Sequence, residues 1–349
     1  MINKQSKHKV IYLELIRVFA LFFVLYTHTG QRGMHYYQVC DNGISYWMSM
    51  FMTLVSQTSV CLFFMISGAL LLGRKDSFAT VWTKRIPRIA IVTVIFVILQ
   101  YLYKVFILSS EVLDIKNLLK YIYHGGSITQ QWYLYAYIGF LCILPFLQRM
   151  VQALEGKFPY YFLLCAAVII DGLCPLFERV MNWEEAGFGI SIPLLTNVIV
   201  YPMLGYYLHC LQDETDRKFN ILMVVVAVPV FAVNTVLVQR GYINTGEINS
   251  LTYFTAIYSY VFFVLLKLIG QNIKEESLLA KLILFAGSGV FGAYLFEPQL
   301  RDITVIIYDV LKPYILQVPA LCLWLATALI LGVTFSNILK LIPGIKKLL

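Results

Sequence analysis

Long apolar runs separated by short polar breaks dominate this chain: Val18–Gln31, Ile44–Gly73 and Ile89–Tyr103 contain no Asp, Glu, Lys or Arg. A helix rises about 1.5 Å per residue and a bilayer's hydrocarbon core is roughly 30 Å thick, so runs of this kind are helices that cross a membrane. Reading the runs against the breaks predicts about ten spans, near 10–30, 44–72, 86–108, 131–152, 159–175, 190–211, 219–239, 250–270, 283–309 and 314–340. The expected fold is therefore all-α and polytopic. With no internal repeat, no low-complexity tract and no linker long enough to separate domains, residues 1–349 read as a single transmembrane domain.

Composition strengthens this picture. The chain is 60% hydrophobic and 13% charged, with a mean hydropathy of +0.75, against about 45–50% apolar and about 25% charged in a globular domain. A soluble fold is excluded. The net charge of +8 would suggest acidic partners in a soluble protein. Here it reflects Lys and Arg retained in cytoplasmic loops, and no nucleic-acid partner is expected.

Charge also orients the chain. Arg74, Lys75, Lys84, Arg85 and Arg88 crowd the loop after the second span, and Lys4, Lys7, Lys9, Lys340, Lys346 and Lys347 mark the termini, so both termini are expected in the cytoplasm. The opposite loops are poor in positive charge: Gln31–Gly43 has one Arg, and Phe177–Gly189 sets Glu178, Glu184 and Glu185 against Arg179. The bias weakens at Gln212–Lys218, where both signs mix. The first apolar stretch has no small-residue cleavage site and is expected to remain as the first helix. The seven cysteines are scattered without C-x-x-C spacing and read as packing residues; Cys40 and Cys174 lie near predicted exterior ends, but spacing alone fixes no partners and a disulfide between them is not the expectation.

Ionisable groups inside spans cost on the order of 2.5–3.5 kcal/mol each at the centre, so each needs a reason. The first helix carries Glu14, Arg17 and His28. Arg17 and His28 are eleven residues apart, which is about three turns plus 20° and a rise of roughly 16 Å, so they share a face. Glu14, one turn before Arg17, can pair with it. His28 is the histidine within the predicted spans; His8, His35 and His124 fall in tails or loops, and His209 at a span end. No histidine pair has ligand spacing, and no metal is expected. A neutral imidazole there suits a general base. The same residues also fit snorkelling anchors and a headgroup-level histidine.

Arg85 and Arg88 lie one turn apart and can grip phosphate oxygens in bidentate fashion, although the positive-inside rule alone would also place them there. Ser67 precedes Gly68 late in the second span, Gln130 and Gln131 precede Trp132, and Glu297 precedes Pro298 in the ninth span or at a break in it. Trp132, Tyr133 and Tyr135 read as an interfacial aromatic belt.

These motifs, in order, resemble bacterial acyltransferase family 3: Glu14-x-x-Arg17 with His28 in the opening helix, Phe63-Phe64-Met65-Ile66-Ser67-Gly68-Ala69-Leu70 as FF-x-x-SG-x-L, Arg85-x-x-Arg88 as R-x-x-R, Gln131-Trp132-Tyr133-Leu134, and Tyr294-Leu295-Phe296-Glu297-Pro298 as Y-L-x-H-P. The resemblance implies a ten-helix multi-pass enzyme of the bacterial cytoplasmic membrane. It would transfer an acyl group, usually acetyl, from cytoplasmic acyl-CoA to a hydroxyl of an exoplasmic or lipid-linked surface glycan, with no permanently bound cofactor and with acyl-CoA, the glycan acceptor and membrane lipids as partners. It further implies His28 as catalytic base, Arg17 with its partner Glu14, Arg85 and Arg88 at the donor or pore, and Ser67, Gln130, Trp132 and Glu297 lining the site. Two positions depart from the family pattern: Gln130 and Glu297 stand where the family often has His. With no appended soluble domain in this sequence, a stand-alone member is expected. The rival reading is a transporter or flippase for a glycan precursor, which more typically shows a repeated half.

Overall fold

The computed structural model describes residues 11–40, 43–128, 132–174, 176–177, 181, 196–241, 254–346 and 348, and every regular element among them is helical. The helices are α1 (Ile11–Thr27), α2 (Ile44–Ser56), α3 (Ser59–Leu71), α4 (Phe78–Phe106), α5 (Ile115–Ile128), α6 (Trp132–Ala153) and α7 (Phe158–Ile170). They continue with α8 (Val198–Leu211), α9 (Arg217–Gln239), α10 (Thr255–Gln271), α11 (Leu278–Leu295), α12 (Glu297–Leu311) and α13 (Gln317–Leu339). Six segments are long and apolar enough to cross a membrane: Ile44–Leu71, Phe78–Phe106, Trp132–Ala153, Glu214–Gln239, Leu278–Leu295 and Gln317–Leu339. The helices at the other four predicted spans, α1, α7, α8 and α10, are shorter, and the beginnings of the predicted spans 190–211 and 250–270 lie outside the described residues.

Two predicted spans are not single helices. The stretch 44–72 divides into α2 and α3. At the join the hydroxyls of Ser56 and Thr58 donate to the carbonyls of Thr53 and Val55 at 2.7 and 2.8 Å, a local competition with the backbone ladder that bends helices. The predicted ninth span, 283–309, ends early instead: α11 stops at Leu295, Phe296 turns the chain, and α12 starts at Glu297. Pro298 is the cause, because it has no N–H to offer the Tyr294 carbonyl and is tolerated only in the first turn of a new helix. Ile303, Ile306 and Val310 of α12 are exposed.

α1 is the axis of the bundle. It packs on α2, α3, α10, α11 and α13 and is buried on most of its surface, as expected of a helix apolar nearly all round. Its first half joins the core formed by α3, α6, α7, α8 and α10, and its second half the core formed with α11 and α13. Outer helices present Ile91, Val94, Ile95 and Leu99 of α4 and Ile221, Leu222, Val225 and Val228 of α9 outward, the inversion of soluble packing that lipid permits.

The tightest crossing is between α3 and α8. A Cβ on Gly68 would come within 1.8 Å of the Pro202 carbonyl oxygen, and one on Gly205 within 1.9 Å of that of Met65, so backbone meets backbone at both contacts. Small residues at such crossings are what let helices approach closely without a hydrophobic drive between them. The Gly of the Ser-Gly motif is thus a packing requirement. Gly68→Ala is expected to lower stability by about 1–3 kcal/mol, read as a reduced melting temperature of the detergent-purified protein; an unchanged melt would show that the crossing relaxes freely.

Candidate functional site

The polar stripe of α1 has a partner for each charge. Arg17 donates to Glu14 at 2.7 Å, with Glu14 almost fully buried and Arg17 partly open. Gly287 of α11 makes room for the carboxylate, since a Cβ there would lie 2.2 Å from Glu14 Oε2. A buried carboxylate is tolerable only when paired, so Glu14 and Arg17 are inserted as a unit rather than as two charges.

At the other end of α1 the structure brings together two residues 269 positions apart. His28 follows the last residue of α1, and its Nδ1 lies 3.3 Å from Oε2 of Glu297, the first residue of α12. The Glu297 side chain is 2% exposed and that of His28 18% exposed. Neither atom has a hydrogen-bond partner among the described residues, and the contact is one of proximity. One turn along α12, Arg301 places its Nε 3.5 Å from Glu297 Oε1 and donates through Nη1 to the main-chain carbonyl of His28. The arrangement follows from helix ends: a carboxylate suits the positive start of α12, and a cation suits the carbonyls left unpaired where α1 stops.

His28, Thr29, Arg32, Arg301, Asp302, Val305 and Trp324 line a cleft of about 270 Å³ at this end. The Trp324 indole donates to the Arg301 carbonyl at 3.2 Å and to Thr304 Oγ1 at 3.0 Å, and Tyr103 donates to Asp302 at 3.2 Å, tying α13 and α4 to α12. Glu297, isolated in the sequence, has its partners here.

A row of tyrosines lies between the two ends of α1. Tyr133 sits edge-on to Tyr294 with ring centroids 6.0 Å apart and stacks on Tyr137 at 5.9 Å. Tyr294 lies near Glu297, and Tyr133 and Tyr137 both lie beside the Ser67 hydroxyl. Tyr133 is therefore an inward-facing residue, against its expected place in an interfacial belt, because α6 turns it onto Phe63 and Phe64 of α3. Tyr135 points elsewhere and donates to Ile122 of α5 at 2.7 Å. Trp132 opens α6 half-buried, and Gln130 lies outside the described residues. Ser67 Oγ donates to the Phe63 carbonyl at 2.9 Å.

The arginine pair is divided. Pro87 interrupts the ladder of α4, and the preceding turn, Val81–Arg85, widens to π-helical spacing. Arg85 Nη2 grips both oxygens of Asp76 at 2.9 Å, and Asp76 is held in turn by Gln148 Nε2, also at 2.9 Å. Arg88 is exposed and reaches the Leu348 carbonyl at 3.4 Å. Arg88 thus has an open fork, whereas Arg85 is anchored. Among the described residues no group of His, Cys, Asp and Glu could hold a metal, and Cys40 and Cys174 are both thiols rather than a disulfide.

Arg301, Asp302, Asp76, Gln148 and Trp324 are not among the site residues expected from the sequence, and each has a partner on another element: His28, Tyr103, Arg85 with Gln148, Asp76, and Arg301 with Thr304. The signal for Arg301 was its i, i+4 spacing from Glu297.

A family model described as an acyltransferase domain matches residues 10–339 of the chain. No curated protein and no solved structure matches it.

Acid is expected to loosen the Asp76 anchor selectively. Burial pushes the Asp76 carboxyl up, but hydrogen bonds from Gln148 and Arg85 with the charges of Arg85 and Arg74 outweigh it, and its pKa falls below the usual 3.8. A depressed folded-state pKa contributes stability that is complete above the unfolded value and is lost as pH falls through the folded one. Asp76→Asn should therefore melt below the wild type by a constant margin from neutral pH down to about pH 5, and the margin should close below about pH 4. A margin unchanged at low pH would mean that the carboxylate charge is not what holds Arg85.

Proposed function

The chain belongs to the acyltransferase family whose model spans it, and on that premise we propose that it moves an acyl group, acetyl in the simplest case, from cytoplasmic acyl-CoA to a hydroxyl of an exoplasmic or lipid-linked cell-surface glycan. The observation that carries the proposal is the His28–Glu297 contact at the edge of a polar cleft. An imidazole whose Nδ1 faces a buried carboxylate leaves Nε2 for a substrate, the arrangement of an oriented general base.

In this reading His28 Nε2 takes the proton of the sugar hydroxyl as its oxygen attacks the thioester carbonyl. The carbon–sulfur bond breaks as the tetrahedral intermediate collapses, and the CoA thiolate leaves and takes up the proton that His28 acquired. Glu297 keeps the imidazole oriented and offsets the charge of the imidazolium. Because a thioester is already activated, one base and correct positioning supply much of the acceleration. Direct transfer is favoured over an acyl-enzyme on Ser67, whose neighbours are the phenols of Tyr133 and Tyr137 rather than a base.

Donor and acceptor come from opposite sides. The positive-inside bias supports a cytoplasmic arginine end, with Arg88 open to receive CoA phosphates and Arg85 aligned by Asp76. Arg17, paired with Glu14 and beside the tyrosine row, positions the donor along the path toward His28. Gln130 and Trp132 precede or open α6 on the acceptor side. The expected location is the bacterial cytoplasmic membrane. Glu297, where the family often has His, is read as the partner of the base rather than an acceptor contact alone.

In proteoliposomes supplied with radiolabelled acetyl-CoA and an envelope glycan fraction, His28→Ala is expected to lower transfer by on the order of 10²–10⁴-fold without impairing insertion. Glu297→Gln should also lower kcat, by less. A fully active H28A protein would overturn this mechanism, and glycan movement without thioester turnover would favour the transporter.

A further inference from the structure

The base and its carboxylate are positioned by a third side chain outside the sequence motifs. We infer that Arg301 is the positioning residue of the His28–Glu297 pair, an inference that rests on the acyl-transfer reading above and assigns Arg301 no contact with substrate.

The geometry is specific. A single guanidinium spans two helices, with Nε 3.5 Å from Glu297 Oε1 and Nη1 donating to the His28 carbonyl. By engaging Oε1 it leaves Oε2 turned toward His28 Nδ1. By holding the His28 carbonyl it fixes the backbone from which the imidazole hangs, at the point where α1 has run out of intrahelical partners. The residue is itself restrained, since its own carbonyl accepts the Trp324 indole N–H at 3.2 Å and its side chain is only 13% exposed. Without Arg301 the buried Glu297 loses its arginine partner, and the imidazole loses both its backbone clamp and the fixed position of the carboxylate beside it.

Lysine cannot replace this function in full. It carries the charge but not two divergent N–H groups in one plane, so it reaches either the carboxylate or the carbonyl.

The test is a mutant cycle on the full-length protein in proteoliposomes, with radiolabelled acetyl-CoA as donor and an envelope glycan fraction as acceptor. Arg301→Gln should lower kcat by about 10- to 100-fold while KM for acetyl-CoA stays within about twofold, the signature of a misplaced base rather than a lost donor contact. Arg301→Lys should fall between wild type and R301Q. On a Glu297→Gln background, R301Q should cost clearly less than the same change in the wild type, because the carboxylate arm is already gone and only the clamp on the His28 carbonyl remains to be lost. Losses that multiply would overturn the inference and make Arg301 an independent contact, and so would a fully active E297Q or R301Q protein beside an inactive H28A control. Activity in H28A would instead remove the acyl-transfer mechanism itself. Should R301Q fail to fold, the same cycle run with R301K decides the question.

Discussion

The end of the bundle where α1 stops is organised around one buried carboxylate. Glu297 is 2% exposed, and an ionised carboxylate in such surroundings is sustained only by close partners of opposite charge or polarity. Its two partners come from different places, His28 from the end of α1 and Arg301 from its own helix. The requirement therefore draws α1 and α12 together, and the cleft lies along their seam. A break in the chain at Phe296–Glu297 is part of the same solution, because it gives Glu297 the positive start of a helix and lets α12 leave the line of α11.

The same logic runs down α1. Glu14 and Arg17 are admitted as a pair in a pocket that Gly287 leaves open, and the tyrosine row from Tyr137 through Tyr133 to Tyr294 carries polarity from that pair toward Glu297. Phenols suit this position: each ring packs like a hydrophobe and still offers a hydroxyl to the interior. The apolar helices around them, α4 and α9 among them, spend their outer faces on lipid. A single helix thus links the Glu14–Arg17 pair near one end to the His28–Glu297 contact at the other.

Much of this was legible from order and spacing. The apolar runs located the helices, and the i, i+3 interval paired Glu14 with Arg17 as found at 2.7 Å, while His28, expected on the Arg17 face, stands just past the last residue of α1. Local spacing predicts these because a helix is a periodic object and nothing beyond it is needed. The break at Glu297 was also foreshadowed by Pro298, yet the full span 283–309 was expected from its apolar content, since hydropathy averages over a proline that changes the direction of the chain. Tyr133 was misassigned for a related reason: aromatic residues near the end of a helix look alike whether they face headgroups or the core, and only its contacts with Phe63, Phe64 and Tyr294 separate the two.

The sequence by itself determined that this chain lives in a membrane, where its helices run, which side is rich in positive charge, and which ionisable residues the lipid must tolerate. Those are properties of single helices and of charge counted along the chain. Only the tertiary structure decided which charged groups meet: that Glu297 faces His28, that Arg301 contacts both, and that Arg85 is held by Asp76 while Arg88 stays open. The physical reason is range. Periodicity speaks over one or two turns, whereas the pairing of buried charges is set by which helix ends pack side by side, and His28 and Glu297 are neighbours only once the bundle has closed.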